Sequence, residues 1–257
     1  MANTVDILGD DAVTDSIING SITEFVDDQL TSVGAYAFNG CPNLTSIDLP
    51  AATSVRQYAF KGCSALTSAD LPAVTSVGEY AFNGCSNLTS VDLPAVTSVN
   101  GNAFRDCSAL TSIVLPVAKQ LNGSAFSGCS KLTSIVLPAV TSVGEYAFNA
   151  CSNLTSIVLP VATQLNGSAF SSCSALTSAD LPAVTSIRGN AFSGCSKLTS
   201  VILRNTTKVA YLASTNAFDG ARNAIIYVPD ALVDGYKAAT NWSTYADRIK
   251  GLSELPA

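Results

Sequence analysis

Apolar residues recur along this chain with a period of 22 residues. Phenylalanine, cysteine, leucine and proline each form a column that steps by 22 without an insertion, and the columns run from Phe38 to Phe192, Cys41 to Cys195, Leu44 to Leu198 and Pro50 to Pro182. One unit of this length has too few apolar residues to close a core of its own. Stacked units cover each other's open faces, so the period predicts a solenoid of repeated coils.

Within a unit, the pattern predicts two short extended segments and one turn. Ile47 and Leu49 alternate with polar residues, as expected of a half-buried strand. Pro50 ends this strand because proline offers no donor to a ladder of hydrogen bonds. A second extended segment is expected at 53–55. The segment 58–63 fits one helical turn, which a glycine helps the chain to leave.

The pattern breaks at both ends of the chain, as the caps of a solenoid should. Beyond residue 229 the spacing of apolar residues changes from the long repeat to a helical period. We predict that 1–21 form an N-terminal cap, that 22–229 form the solenoid, and that 230–257 form a helical C-terminal cap. Trp242 is expected to plug the open end of the core there.

The repeated string carries a family resemblance. Leu88-Thr-Ser-Val-Asp-Leu-Pro94, followed by Ala103-Phe104-x-x-Cys107, contains the LxxLxL strand signature and closely resembles BspA-like leucine-rich repeats of bacterial surface proteins. The resemblance covers about Ile22 to Val228. It implies a right-handed α/β solenoid of leucine-rich repeats, with a β-sheet along one face, short helical turns and capped ends.

Composition and charge exclude several classes of function. Of the 257 residues, 47% are hydrophobic and 12% are charged, which is the opposite of the balance in disordered chains. The net charge of −6 argues against broad contact with a nucleic-acid backbone, and no apolar run is long enough to span a membrane. The chain has no histidine, which excludes mechanisms that need a histidine base or ligand. Because it also lacks catalytic and phosphate-binding motifs, we expect neither an enzyme nor a cofactor.

The eight cysteines occupy one column, with one cysteine in each unit. An even number of cysteines can indicate disulfides. Neighbouring coils would place these residues roughly 5 Å apart, but with parallel rather than converging Cβ vectors. The chain has no C-x-x-C pair, which is a typical sign of a zinc site. The favoured interpretation is a buried apolar filler, and the alternatives are bridged pairs or a metal site.

One outward column differs from coil to coil, and it is the best candidate for a binding surface. The residue between the two inward apolar positions of each strand should face solvent, beside a nearly uniform serine column from Ser46 to Ser200. Stacked aspartates repel each other, and stacked valines leave apolar area unburied. We therefore predict a binding face that, after Val26, consists of Asp48, Asp70, Asp92, Val114, Val136, Val158, Asp180, Ile202 and Tyr227.

The same column has two alternative interpretations, and both stay open. β-Branched residues favour strands, and recent duplication could have copied them without selection for binding. Alternatively, Asp48, Asp70 and Asp92 could hold a divalent cation, because stacked carboxylates are hard oxygen ligands.

The resemblance implies a non-enzymatic binding or adhesion module of a bacterial cell-surface or secreted protein, with a protein or cell-surface ligand as its partner. The first residues have no basic start and no apolar core, so they do not resemble a secretory signal. This favours one alternative, a structural or receptor-binding component of a phage or virion-like particle. A further alternative is an intracellular scaffold, a setting in which eight thiols would stay reduced. We expect a monomer that neither enters membranes nor binds nucleic acid.

Overall fold

The computed structural model describes residues 22–256, which wind into a solenoid of about ten parallel turns. The solenoid predicted from the repeat is therefore confirmed. Its elements in chain order are β1 (Glu24–Val26), β2 (Ser32–Val33), β3 (Ser46–Asp48), β4 (Ser54–Val55), β5 (Ser68–Asp70), β6 (Ser76–Val77), β7 (Ser90–Asp92), β8 (Ser98–Val99), β9 (Ser112–Val114), β10 (Gln120–Leu121), β11 (Ser134–Val136), β12 (Ser142–Val143), β13 (Ser156–Val158), β14 (Gln164–Leu165), β15 (Ser178–Asp180), β16 (Ser186–Ile187), β17 (Ser200–Ile202), β18 (Tyr211–Leu212), β19 (Ile225–Val228), α1 (Val233–Ala238) and β20 (Ile249–Gly251).

The strands form two columns on different sides of each coil. The even-numbered strands β2 to β18 make one parallel nine-stranded sheet, whose partners lie one repeat apart, as in Val33 beside Val55. The odd-numbered strands form the other column in three parts, β1-β3-β5-β7, β9-β11 and β13-β15-β17-β19, and β20 extends the last part. Within residues 22–256, no ladder joins β7 to β9 or β11 to β13, although these strands are neighbours.

A stack of phenylalanine rings fills the centre of the solenoid. From Phe38 to Phe218 the rings of successive coils lie nearly parallel, with centroids between 5.0 and 5.6 Å apart, and each ring is at most 2% exposed. Each ring covers the face of the next, which is how coils that cannot close a core alone bury one together.

The segment 58–63 is not the predicted helical turn but a pair of tight turns. Tyr58 has a φ of 60° and Gly62 a φ of 74°, and a right-handed helix cannot continue through such residues. Alternate backbone N–H groups pair with the following coil, as Phe60 N–H does with the Ala81 carbonyl at 2.7 Å, and those between them close the turns, as Cys63 N–H does with the Phe60 carbonyl at 3.2 Å. Hydrogen bonds between coils and within tight turns thus take the place of helical bonds, and Gly62 provides the left-handed residue of the second turn.

The C-terminal region closes against the last phenylalanine of the stack. Besides α1 and β20, it contains 3₁₀ segments at Asp230–Leu232, Trp242–Arg248 and Leu252–Glu254. The Trp242 side chain is 1% exposed, its ring centroid lies 6.1 Å from that of Phe218, and its indole N–H donates to the Ala210 carbonyl at 2.6 Å. The division into 1–21, 22–229 and 230–257 stays a prediction, and its first segment lies outside the described residues.

Candidate binding surface

The outward residues of the odd-numbered strands form one continuous surface, which we name the strand face. Within each of the three parts of this column the strands pair in register, so that each outward residue lies beside its counterpart in the next coil. The alternation of strand residues sends Ile47, Ile113 and Ile157 into the core and their successors outward. The structure therefore brings the predicted column together on one side, and its composition divides it into an acidic part and an apolar part.

The acidic part begins near the N-terminal end of the described chain. Asp48 lies beside Asp70, and Asp70 beside Asp92, in an unbroken register. The outward residues of β3, β5, β7 and β9 line a shallow hollow of about 460 Å³. Among residues 22–256, no group of three or more Asp, Glu or Cys side chains is placed to hold a metal ion. The three stacked carboxylates make this part of the strand face its acidic end.

The apolar part follows in the next three coils. Val114, Val136 and Val158 are 55%, 50% and 56% exposed, respectively. Val136 and Val158 line a hollow of about 280 Å³ together with Pro138 and Pro160. This hollow lies where the ladder between β11 and β13 is interrupted. The valines thus form an uncovered apolar strip between Asp92 and Asp180.

Asp180 ends the valine strip, but it is not an unpaired acid. The Arg204 side chain contacts it with two nitrogen atoms, Nε at 3.3 Å from Oδ1 and Nη2 at 3.3 Å from Oδ2. Arg204 stands at the position where the preceding repeats have proline. This break in the proline column is the sequence signal that could have revealed the ion pair, but it lies outside the strand column from which the site was predicted. Ile202, the next member of the predicted site, is half-buried.

Tyr227 was predicted on the open face, and this prediction is wrong. Its side chain is 7% exposed. Strand β20, which lies in the segment predicted to be helical, adds one more strand to the sheet and sets Lys250 beside Tyr227. The tyrosine therefore lies inside the sheet rather than at its end, and Lys250 takes its place as the last outward residue.

A family model described as a BspA type leucine rich repeat region, with six copies, matches residues 19–133 and 119–232. The chain belongs to the BspA-type leucine-rich repeat family. The resemblance seen in the repeated string is confirmed. Leucine-rich repeat solenoids are typically binding scaffolds that use a continuous exposed surface.

Solved structures of leucine-rich repeat proteins from several bacteria are similar to this chain. The leucine-rich repeat protein of T. pallidum has a TM-score of 0.50 and 23% identity over 82% of this chain and 85% of its own. A leucine-rich cell surface protein of Faecalibacterium prausnitzii has a TM-score of 0.49 and 24% identity over 72% of this chain, which spans 61% of that protein. A protein of Bacteroides ovatus has a TM-score of 0.49 and 19% identity over 90% of this chain and 84% of its own. No curated protein matches the chain.

The cysteine column of this BspA-type solenoid is part of the core. All eight cysteines are buried thiols. From the second coil onward each thiol donates to the carbonyl of the phenylalanine one coil earlier, as Cys63 does to Phe38 at 3.0 Å and Cys107 to Phe82 at 3.1 Å. Burial raises the pKa of the Cys85 thiol to about 12 and has the same effect on Cys151. Since the thiolate is the reactive form, the Cys85 and Cys151 thiols are structural rather than reactive groups.

No helix in the described part of the chain combines the length and the apolarity needed to cross a bilayer.

Proposed function

We propose that this chain is a non-enzymatic protein-binding or adhesion module of a bacterial cell-surface or secreted protein, and that the strand face is its contact surface. Membership of the BspA-type family supports a binding role. A neighbour of the same fold is described as a cell surface protein, which agrees with a surface or secreted location.

The exposed valine strip is the observation that carries this proposal. A buried valine contributes roughly 1.5–3 kcal/mol, and these three side chains forgo about half of that burial. Serine, threonine or lysine could occupy these solvent-facing strand positions without exposing apolar area. The strip by itself is smaller than the several hundred Å² typical of an interface, so the neighbouring residues must take part in binding.

The partner is expected to be an extended polypeptide that crosses several coils. Its apolar side chains would cover Val114, Val136 and Val158, and basic or hydroxyl groups would face Asp70 and Asp92 on one flank. Asp180 is already paired with Arg204, so the other flank offers less net charge. This asymmetry would fix the direction in which the partner lies along the solenoid.

The test is capture of a partner by wild type and by the triple variant Val114→Asp, Val136→Asp and Val158→Asp. Purified protein immobilised at equal density would be incubated with epithelial cell extracts, and bound proteins would be identified and quantified. We expect the triple variant to lose the partner, because three carboxylates would be desolvated against its apolar side chains. Its melting temperature should stay close to that of wild type, since the changed side chains already face solvent.

The matched control is the double variant Val117→Asp and Val161→Asp. These valines are each 43% exposed but lie outside the strand face. The control should capture the partner as wild type does. Equal capture by wild type and the triple variant, or equal loss in the triple variant and the control, would remove the strand face from the account of function.

A further inference from the structure

A second surface, separate from the strand face, runs along the outer side of the even-numbered strands. It is an open groove of about 1000 Å³, which we name the amide groove after its asparagine and glutamine side chains. Residues of five successive coils line it, so it is roughly 19 Å long at the usual spacing of strands. The lining side chains include Tyr36, Arg56, Gln57, Glu79, Asn100 and Asn122.

A stack of tyrosines begins at one end of this groove. The ring centroids of Tyr36 and Tyr58 are 4.7 Å apart, and those of Tyr58 and Tyr80 are 5.0 Å apart, with nearly parallel planes. All three residues have a left-handed backbone with φ between 57° and 62°, which bulky side chains disfavour. The next coils have Asn102 and Ser124 at this position, so the turn itself does not require tyrosine. The left-handed turn is thus a property of successive coils, and Tyr36 is the member of the stack whose ring lines the groove.

The lining of the groove selects among ligand classes. Strands β4 and β6 are paired on both sides, so a peptide cannot add to them as another strand. Arg56 and Glu79 bring one charge of each sign, which gives no positive excess for a nucleic acid and too few carboxylates for a metal. Gln57, Asn100 and Asn122 instead supply amides, which donate and accept hydrogen bonds side by side.

We propose that the amide groove binds an uncharged oligosaccharide that runs along the solenoid axis. Adjacent hydroxyls of a sugar ring also donate and accept side by side, which suits the amides of the lining. The Asn122 amide is oriented, because its Nδ2 donates to Oδ1 of Asn100 at 3.0 Å. The apolar C–H face of a sugar can pack on an aromatic ring, and the Tyr36 side chain is 47% exposed at the groove. The proposal shares no residue with the strand face and does not depend on it.

Two glycines of the lining differ in the space around them. A Cβ at Gly78 would lie 2.5 Å from the carbonyl carbon of Arg56, so this glycine makes room for the backbone of the neighbouring coil. A Cβ at Gly101 would come no closer than 3.5 Å to its neighbours, which is ordinary van der Waals contact, so a side chain can start there without a backbone clash at its Cβ. Gly167 occupies the same position three repeats later, also with 3.5 Å of clearance, but does not line the groove.

The experiment is a calorimetric titration of the full chain with three neutral oligosaccharides, each up to about 10 mM. The three probes are maltohexaose, cellohexaose and chitohexaose. We expect wild type to bind at least one of them. The variant Gly101→Gln should bind that probe about tenfold more weakly or not at all, because its side chain fills the groove. The control Gly167→Gln should bind as wild type does, and both variants should melt close to the wild-type temperature.

Tyrosine variants test the aromatic contribution without changing the shape of the backbone. Tyr36→Ala should weaken binding about tenfold, whereas Tyr146→Ala, at the equivalent turn outside the groove, should leave binding unchanged. Binding of none of the three probes would overturn the proposal, as would equal binding by Gly101→Gln and Gly167→Gln. Partner capture through the strand face is measured separately, so failure of one proposal leaves the other standing.

Discussion

The core and the strand face are built by the same 22-residue period, yet only one of them is uniform. Phenylalanine fills the central column in every coil from Phe38 to Phe218, while the strand face changes from aspartate to valine and back to aspartate. A ring between two rings has no freedom to change, because a smaller residue leaves a cavity and a larger one clashes. An outward residue is under no such constraint. The strand face, unlike the core, is therefore free to vary with the binding role that we propose for it.

The largest expected effect comes from breaking the core at its closed end. Trp242→Ala should lower the free energy of unfolding by about 3–5 kcal/mol, because it opens a cavity above Phe218 and leaves the Ala210 carbonyl without its indole donor. Thermal or urea unfolding would measure the change. The matched control is Tyr211→Ala, an aromatic residue of the same region that is 59% exposed. Equal melting temperatures for the two variants would show that the C-terminal region does not complete the core.

Alkaline pH should lower the stability of the core, whereas changes of pH near neutrality should not affect it. Burial raises the pKa of the Cys85 thiol from 9.0 to about 12 and that of Cys107 well above 9.0. As pH rises, the thiols of the unfolded chain therefore lose their protons before those of the folded chain. The contribution of the buried thiols to the free energy of unfolding is complete below about pH 9 and is lost as pH rises toward the pKa of the folded state. Melting temperatures measured with reductant at pH 7, 9 and 11 should fall mainly in the last interval.

The thiols also allow a direct count. Native protein should react slowly with a thiol reagent, and unfolding in the absence of reductant should release close to eight thiols, because all eight cysteines are buried and none is bridged in the structure. A count of four or fewer would contradict this role of the cysteine column. A melting temperature that stayed constant from pH 9 to 11 would contradict the raised pKa values.

The smallest effect is expected from the ion pair on the strand face. Asp180 and Arg204 are partly exposed, and pairs of this kind contribute about 0.2–1 kcal/mol. A double-mutant cycle with Asp180→Asn and Arg204→Ala should give a coupling energy in that range, which decreases at high salt. A coupling above about 2 kcal/mol would mean that this part of the face is structural and should be counted with the core.

The sequence predicted the parts of the fold that depend on periodicity. A fixed step of 22 residues indicated the stacked coils, and the alternation around Ile47 placed Asp48 outward, as the structure shows. The tight turns at 58–63 were missed because tyrosine at a positive φ is disfavoured and has no sequence signature. Strand β20 was missed because its pairing with β19 depends on the path of the whole C-terminal region.

The candidate sites show the same limit. The outward column could be written down from the repeat, apart from Tyr227, whose burial depends on β20. The amide groove could not be predicted in this way. Its lining comes from residues one repeat apart whose side chains differ in size, such as Gln57, Glu79 and Gly101. Its shape arises from those differences in three dimensions, and a repeat consensus averages them away.

The most direct test of the contrast between core and strand face uses two adjacent residues of β9. Ile113 is 3% exposed and Val114 is 55% exposed, so the same substitution can be placed on either side of one strand. In thermal unfolding, Ile113→Asn should lose about 3–5 kcal/mol, because it removes core packing and buries an amide. Val114→Asn should stay within about 0.5 kcal/mol of wild type. Similar losses in both variants would contradict the separation of a uniform core from a face that is free for binding.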